Sequence, residues 1–143
     1  MKYNEIKPLV IQWAKEKNLT DSGKQYIKVF EEIGELSSAI LKNDLGEIQD
    51  AIGDIAVTLI IHGWQTNTDY DHDYHVVVDE CKIVSELFKD FLDMVIHNNQ
   101  HSLMYLNEIA NEYNTDLDEC LLLAWNVIKN RTGKTVNGTF IKD

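Results

Sequence analysis

The chain has 143 residues, 44% of them hydrophobic, a single proline and a formal net charge of −11. That length and apolar content predict one helical globular domain over residues 1–143, with its own core, rather than a disordered chain. The acidic balance excludes a protein that grips a nucleic-acid polymer, which needs a basic footprint, but not one that takes small anions beside a bound cation. With no secretory leader pattern and no apolar run of about 18 residues, the sequence predicts a cytoplasmic protein without a membrane span. Cys81 and Cys120, in apolar helical settings, read as buried thiols in a reducing compartment.

Helical periodicity organises most of the chain. A first helix is expected from about Asn4 to Lys17, where Ile6, Leu9, Val10 and Trp13 form one apolar stripe, so that Trp13 packs most simply in the core. Asn18 to Ser22 is a turn, with Asp21 or Ser22 as the N-cap of a second helix. That helix carries Gln25, Lys28 and the cluster Glu31-Glu32-Ile33-Gly34-Glu35. After a polar break at Lys42-Asn43-Asp44, Asp44 and Glu47 have capping-box spacing and open a third helix, which fades at His62-Gly63-Trp64. Gln65 to His75 reads as a solvated loop; its Asp71-His72-Asp73 and His75 match no metal-site spacing of known geometry. Helical spacing resumes from Val76 to about His97, with Cys81, Val84, Leu87, Phe88, Phe91, Leu92 and Val95 as the core face. A break at His97–His101 and a short helix from Ser102 to Glu112 follow. Thr115 is expected to cap a last helix, Asp116 to about Asn130. Gly133 ends it, and Arg131 and Lys134 meet its free carbonyls.

The chemistry-bearing residues lie on the second and third helices. Glu32 and Glu35 project from nearly the same face of the second helix, with Lys28 one turn earlier, while Glu47, Asp50 and Asp54 form a stripe on the third. A short connection makes the two helices antiparallel neighbours, so the two stripes can face each other. Carboxylates gathered without matching cations repel one another unless something neutralises them. A hard divalent ion, magnesium or manganese, does so with oxygen ligands. Two solvated acidic faces are the plain alternative. Against it, Asp54 is the only ionisable residue in the apolar run Ala51–Ile61, which implies burial and the need for a partner, a metal or a proton. Gly53, mid-helix, suggests a close helix approach. Lys28 has two readings, a phosphate contact or an i+4 ion pair with Glu32.

The pattern EExxE followed by a second acidic helix ending in Gly-Asp resembles the MazG-like all-α nucleoside triphosphate pyrophosphohydrolases, in particular their small, phage-associated members. Glu31, Glu32 and Glu35 match the first motif and Asp54 the last Asp of the second, whose Glu is Ala51 here, with Asp50 the nearest substitute. The resemblance implies an all-α antiparallel helical bundle completed by oligomerisation into a homodimer or homotetramer. It also implies magnesium-dependent cleavage of (d)NTP to (d)NMP and pyrophosphate. Glu32, Glu35, Asp50 and Asp54 would then hold one or two metal ions, with Glu31, Glu32 and Glu35 as the catalytic carboxylates and Glu31 offset either to reach a second metal or to position the attacking water as general base. Lys28 would reach a substrate phosphate and Trp13 would wall the nucleobase. Asn126-x-x-Lys129-x-Arg131, with Lys134, is similar to the family's phosphate-contacting element near the C-terminus. Two other readings remain open: a nucleotide-binding regulator without turnover, and an acidic helical module that binds a basic protein partner.

Overall fold

The computed structural model describes residues 1–77 and 82–143. Within them the chain runs through α1 (Tyr3–Glu16), α2 (Ser22–Lys42), α3 (Leu45–Thr66), α4 (Val84–Ile96), α5 (Ser102–Glu112) and α6 (Leu117–Ile128). It ends in a two-stranded antiparallel hairpin, β1 (Gly133–Val136) and β2 (Thr139–Lys142). The fold is therefore all-α in its body with a hairpin appended. None of these helices is long and apolar enough to cross a membrane.

Helix α3 is the central element because its sequence is apolar nearly all round, as a helix buried on every side requires. Ile48, Ile52, Ile55 and Leu59 are fully buried, and α3 contacts α1, α2, α5 and α6. Its partner α2 is connected to it by Asn43 and Asp44 alone, which makes the two helices antiparallel. Asn43 ends α2 in the left-handed conformation, and the Asp44 carboxylate accepts the Glu47 N–H at 3.1 Å to start α3. Asn18, Asn67, Asn98 and Asn114 adopt the same left-handed backbone just after α1, α3, α4 and α5, the position where asparagine is tolerated best after glycine. Gly53 sits where α3 crosses α6. A Cβ there would overlap the Cys120 carbonyl and lie 2.9 Å from the Ala124 Cβ, so the mid-helix glycine does mark a close helix approach.

Several boundaries differ from expectation. Helix α3 continues to Thr66, past Gly63. Helix α4 begins only at Val84, and Val76 and Val77 are not helical, in keeping with the weak helix preference of β-branched residues. Cys81 lies outside the described residues; Cys120 is buried and free. The loop after α3 is anchored rather than solvated throughout. Tyr70 and Tyr74 are buried, Tyr70 Oη bonds His62 Nδ1 and Asn98 Oδ1 at 2.8 and 2.9 Å, and Lys7 holds Asp71 at 2.6 Å. The cap of α6 is Asp116, which accepts the Glu119 N–H at 2.8 Å, while the Thr115 hydroxyl donates to the Glu119 side chain instead. The expected run-out of α6 to Asn130 is replaced by a stop at Ile128 and then the hairpin.

The hairpin has a local cause. Asn137 and Gly138 both have positive φ, 51° and 81°, as a two-residue turn of the primed type requires. The register pairs Val136 with Thr139 and Gly133 with Lys142. Its attachments run to the corner between α1 and α2: the Thr135 hydroxyl donates to the Lys17 carbonyl, Gly138 abuts Asp21 with no room for a Cβ, and Phe140 packs edge-on against Trp13 with ring centroids 5.0 Å apart.

Candidate functional site

Helical spacing brings the first acidic motif to a point. One carboxylate oxygen from each of Glu31, Glu32 and Glu35 lies within 4.8 Å of the others. Glu32 is buried, whereas Glu31 and Glu35 are exposed. From the facing helix, Asp54 lines the same pocket as all three. Asp50 is exposed one turn earlier and lines an adjoining groove with Glu31, Glu35 and Asp54. Glu47 stands further out, with Lys42 Nζ 3.5 Å from its carboxylate, consistent with a structural task at the start of α3.

The electrostatics of this cluster follow from burial. Desolvation is the largest cause that raises Glu32 to about 7; the Asp54 charge and the Glu35 carboxylate push the same way, and Lys28 opposes them. Asp54 is raised to about 6, again chiefly by burial; the Arg131 charge pulls it down but is outweighed when Glu35 and Asp50 add their repulsion. Lys28 forms an ion pair with Glu31 and lies 3.5 Å from Glu32. One ammonium group thus serves two carboxylates and leaves the cluster short of positive charge. Glu32 Oε2 is buried with no hydrogen-bond partner. A buried carboxylate oxygen with no donor, among acids that repel, fits a hard divalent cation held by oxygen ligands. Glu31, Glu32 and Glu35 are the residues whose carboxylates converge closely enough to share one; Asp54 lines the same pocket and Asp50 the adjoining groove, outside that convergent group.

The acids occupy one part of a pocket of about 560 Å³, a size within the range of small-ligand sites. Trp13, Val57, Ile61, Ile128 and Phe140 provide apolar walls, and Lys24, Lys28, Arg131 and Lys142 add cations to its lining. Trp13 is 9% exposed, so it serves the core first and the pocket second. Of the three C-terminal cations expected at the site, only Arg131 reaches the pocket. Lys129 is the exposed C-cap residue of α6. Lys134 is exposed because strand alternation in β1 turns Thr135 inward and Lys134 outward. Neither lines the pocket. Sequence reasoning missed Lys24, Phe140 and Lys142. For the last two a signal was present: Asn137-Gly138 between short β-prone runs marks a hairpin, and period-two alternation puts Phe140 and Lys142 on one face.

A stretch of 61 residues is 43% identical to a protein of Haemophilus phage HP1 (strain HP1c1), described as an uncharacterized 18.2 kDa protein in the rep-hol intergenic region. The match covers 41% of this chain and 37% of that phage protein. No family model matches the chain, and no solved structure matches it.

Proposed function

We propose that the protein is a magnesium-dependent nucleotide pyrophosphohydrolase of the MazG-like kind that cleaves (d)NTP to (d)NMP and pyrophosphate. The observation that carries this reading is one pocket that combines the converging carboxylates of Glu31, Glu32 and Glu35, the facing Asp54, two aromatic rings and a set of cations. Each part matches a part of a nucleoside triphosphate: metal-bridged phosphates, planar base and anionic tail.

When bound, the divalent ion supplies charge neutralisation at the phosphates and a more acidic water. Glu32, Glu35 and Asp54 would hold that ion, with Asp50 in the adjoining groove as a further carboxylate. Asp50 takes the part of the motif carboxylate that is Ala51 here; Ala51 itself is packed in α3 with 4% exposure. Glu31 is offset by about 100° from Glu32 around the helix and is exposed, so it positions the water and accepts its proton. Arg131, Lys28 and Lys142 stabilise negative charge on the departing pyrophosphate. No thiol attack is invoked, because Cys120 is buried and its thiol is raised to about 11, chiefly by burial.

The assembly proposed is a homodimer or homotetramer in which a second subunit helps to close the pocket. Ile27 on the pocket wall is 67% exposed, and Val127 on α6 is 58% exposed, apolar area that a partner would cover. A fully active monomer at micromolar concentration by light scattering contradicts that assembly.

The test is pyrophosphate release from canonical NTPs and dNTPs with magnesium, beside an EDTA control. Metal-dependent formation of pyrophosphate and nucleoside monophosphate supports the reading. Magnesium-dependent nucleotide binding without turnover replaces it with a regulator, and the absence of both leaves an acidic helical module.

A further inference from the structure

The hairpin adds to this pocket from an unexpected direction. Phe140 and Lys142, on one face of β2, line the pocket together with Gly138 and Thr139 at the turn, while Ile141 does not and is 52% exposed. Phe140 is half-buried. Lys17 Nζ lies 5.8 Å from its ring centroid, and Trp13 meets it edge-to-face. The Trp13–Phe140 contact leaves no gap for a third ring between them. A planar ligand entering this pocket would have to lie against the outside of this aromatic corner, and because Trp13 is nearly all covered, Phe140 provides the more accessible surface. Gly138 holds the hairpin in place: it abuts Asp21 at the start of α2 so closely that only glycine fits. Arg131, just before β1, lines the same pocket.

We infer that the C-terminal hairpin is the substrate-selecting wall of the pocket, with Phe140 binding the nucleobase and Lys142 binding a phosphate beside Arg131. The inference rests on the proposed reading of the acidic cluster, but it concerns residues on a different element. Phe140 discriminates ligands that carry a planar ring from bare polyphosphate. Lys142 contributes equally to both, because its contact is with charge alone.

The test compares the full-length protein with Phe140→Ala, Phe140→Tyr, Lys142→Gln and the outward control Ile141→Thr, each checked for native melting. The readouts are KM and kcat for nucleoside triphosphates and inhibition by inorganic tripolyphosphate. Phe140→Ala is expected to raise KM by about tenfold, the scale of a lost base–aromatic contact, with kcat and tripolyphosphate inhibition within about twofold of wild type. Phe140→Tyr restores KM, and Ile141→Thr leaves it unchanged. Lys142→Gln weakens nucleotide and tripolyphosphate together. If Phe140→Ala folds, turns over and keeps its KM, the hairpin inference fails while the acidic centre stands. If wild type does not turn over, the same variants are compared by tryptophan quenching with magnesium and nucleotide. Binding lost on Phe140→Ala still supports the hairpin inference, and no binding by wild type overturns both.

Discussion

Replacing Glu32 by glutamine is expected to stabilise the metal-free protein at alkaline pH and to do little at pH 5. Glu32 is raised from 4.5 to about 7, chiefly by burial. The folded state therefore binds more protons than the unfolded chain between those values, and stability falls as pH rises through that window. Above pH 7 the folded protein holds a buried carboxylate at a cost of about 3 kcal/mol, from 1.36 kcal/mol per pH unit. Part of that cost is shared with Asp54, so about 2 kcal/mol is the sounder figure for Glu32 alone. For a chain of this length 1 kcal/mol moves the melting midpoint by roughly 2–4 °C, so the Glu32→Gln gain at pH 8 is roughly 4–8 °C. His62, lowered by burial, works in the opposite sense and favours the fold as pH rises toward 6.5. It is present in both proteins and cancels in the difference. The assay is thermal melting of wild type and Glu32→Gln at pH 5, 6, 7 and 8 in EDTA, repeated with saturating magnesium. Magnesium is expected to stabilise the wild type most at high pH, by up to about 3 kcal/mol at one hundred times Kd, and to act only weakly on the variant. Equal midpoints at every pH in EDTA would refute the burial argument, and an unresponsive wild type would refute the metal site.

Four further variants have expected outcomes set by their surroundings. Gly53→Ala, despite a helix-propensity gain of about 1 kcal/mol, is expected to destabilise by about 2 kcal/mol net through overlap with the Cys120 carbonyl and the Ala124 Cβ, read as a lower urea midpoint. Gly34→Ala, in the same kind of helical backbone but with nothing within 4 Å of a new Cβ, is expected to stabilise by about 0.5–1 kcal/mol; a fall in the midpoint would reveal a contact at that face. Glu35→Gln is expected to lower kcat by roughly 100-fold or more, whereas Lys129→Gln, on an exposed residue outside the pocket, leaves kcat/KM within about twofold.

How much was legible in the sequence depended on the range of the determining contact. The facing carboxylates are set by helical period and a two-residue connection, both local, so Glu32, Glu35, Asp50 and Asp54 emerge before any coordinates. Gly53 was also legible, since a glycine in the middle of an apolar helix has few other uses. The hairpin has a local turn signal in Asn137-Gly138, but basic residues and a glycine after a helix equally look like an ordinary C-terminal cap. A lone two-stranded hairpin is marginal in water. This one is held by Trp13, Lys17 and Asp21, which lie more than one hundred residues earlier in the chain. No window of local sequence contains that information. The loop after α3 shows the same limit: its polar composition suggests solvation, but Tyr70 and Tyr74 are buried by partners on α3 and α6 and beside α4. Lys129 and Lys134 show the converse. They sit in a recognisable sequence element, yet a helix end two residues early and strand alternation turn them away from the pocket.

The net charge of −11 and an anionic ligand are compatible because charge is distributed unevenly. Lys24, Lys28, Arg131 and Lys142 all line the pocket, although the whole chain has only 13 lysines and arginines. Lys28 is engaged by Glu31 and Glu32, and Arg131 pulls down the Asp54 acid without overcoming its burial. With the acids ionised, these four cations match Glu31, Glu32, Glu35 and Asp54 in number, and Asp50 in the adjoining groove leaves the site one charge negative. A divalent ion at the cluster would release Lys28 toward phosphate and change the sign of the local field at once. The protein would then bind polyphosphate poorly without the metal and tightly with it, a dependence stronger than either the cations or the carboxylates provide alone. Outside the pocket the remaining acids are expected to repel nucleic-acid polymers, whose many phosphates must approach a broad surface. A single nucleotide has to cross only the rim. The same acidic surface that argues against one class of phosphate ligand is thus compatible with the other, and the size of the ligand decides between them.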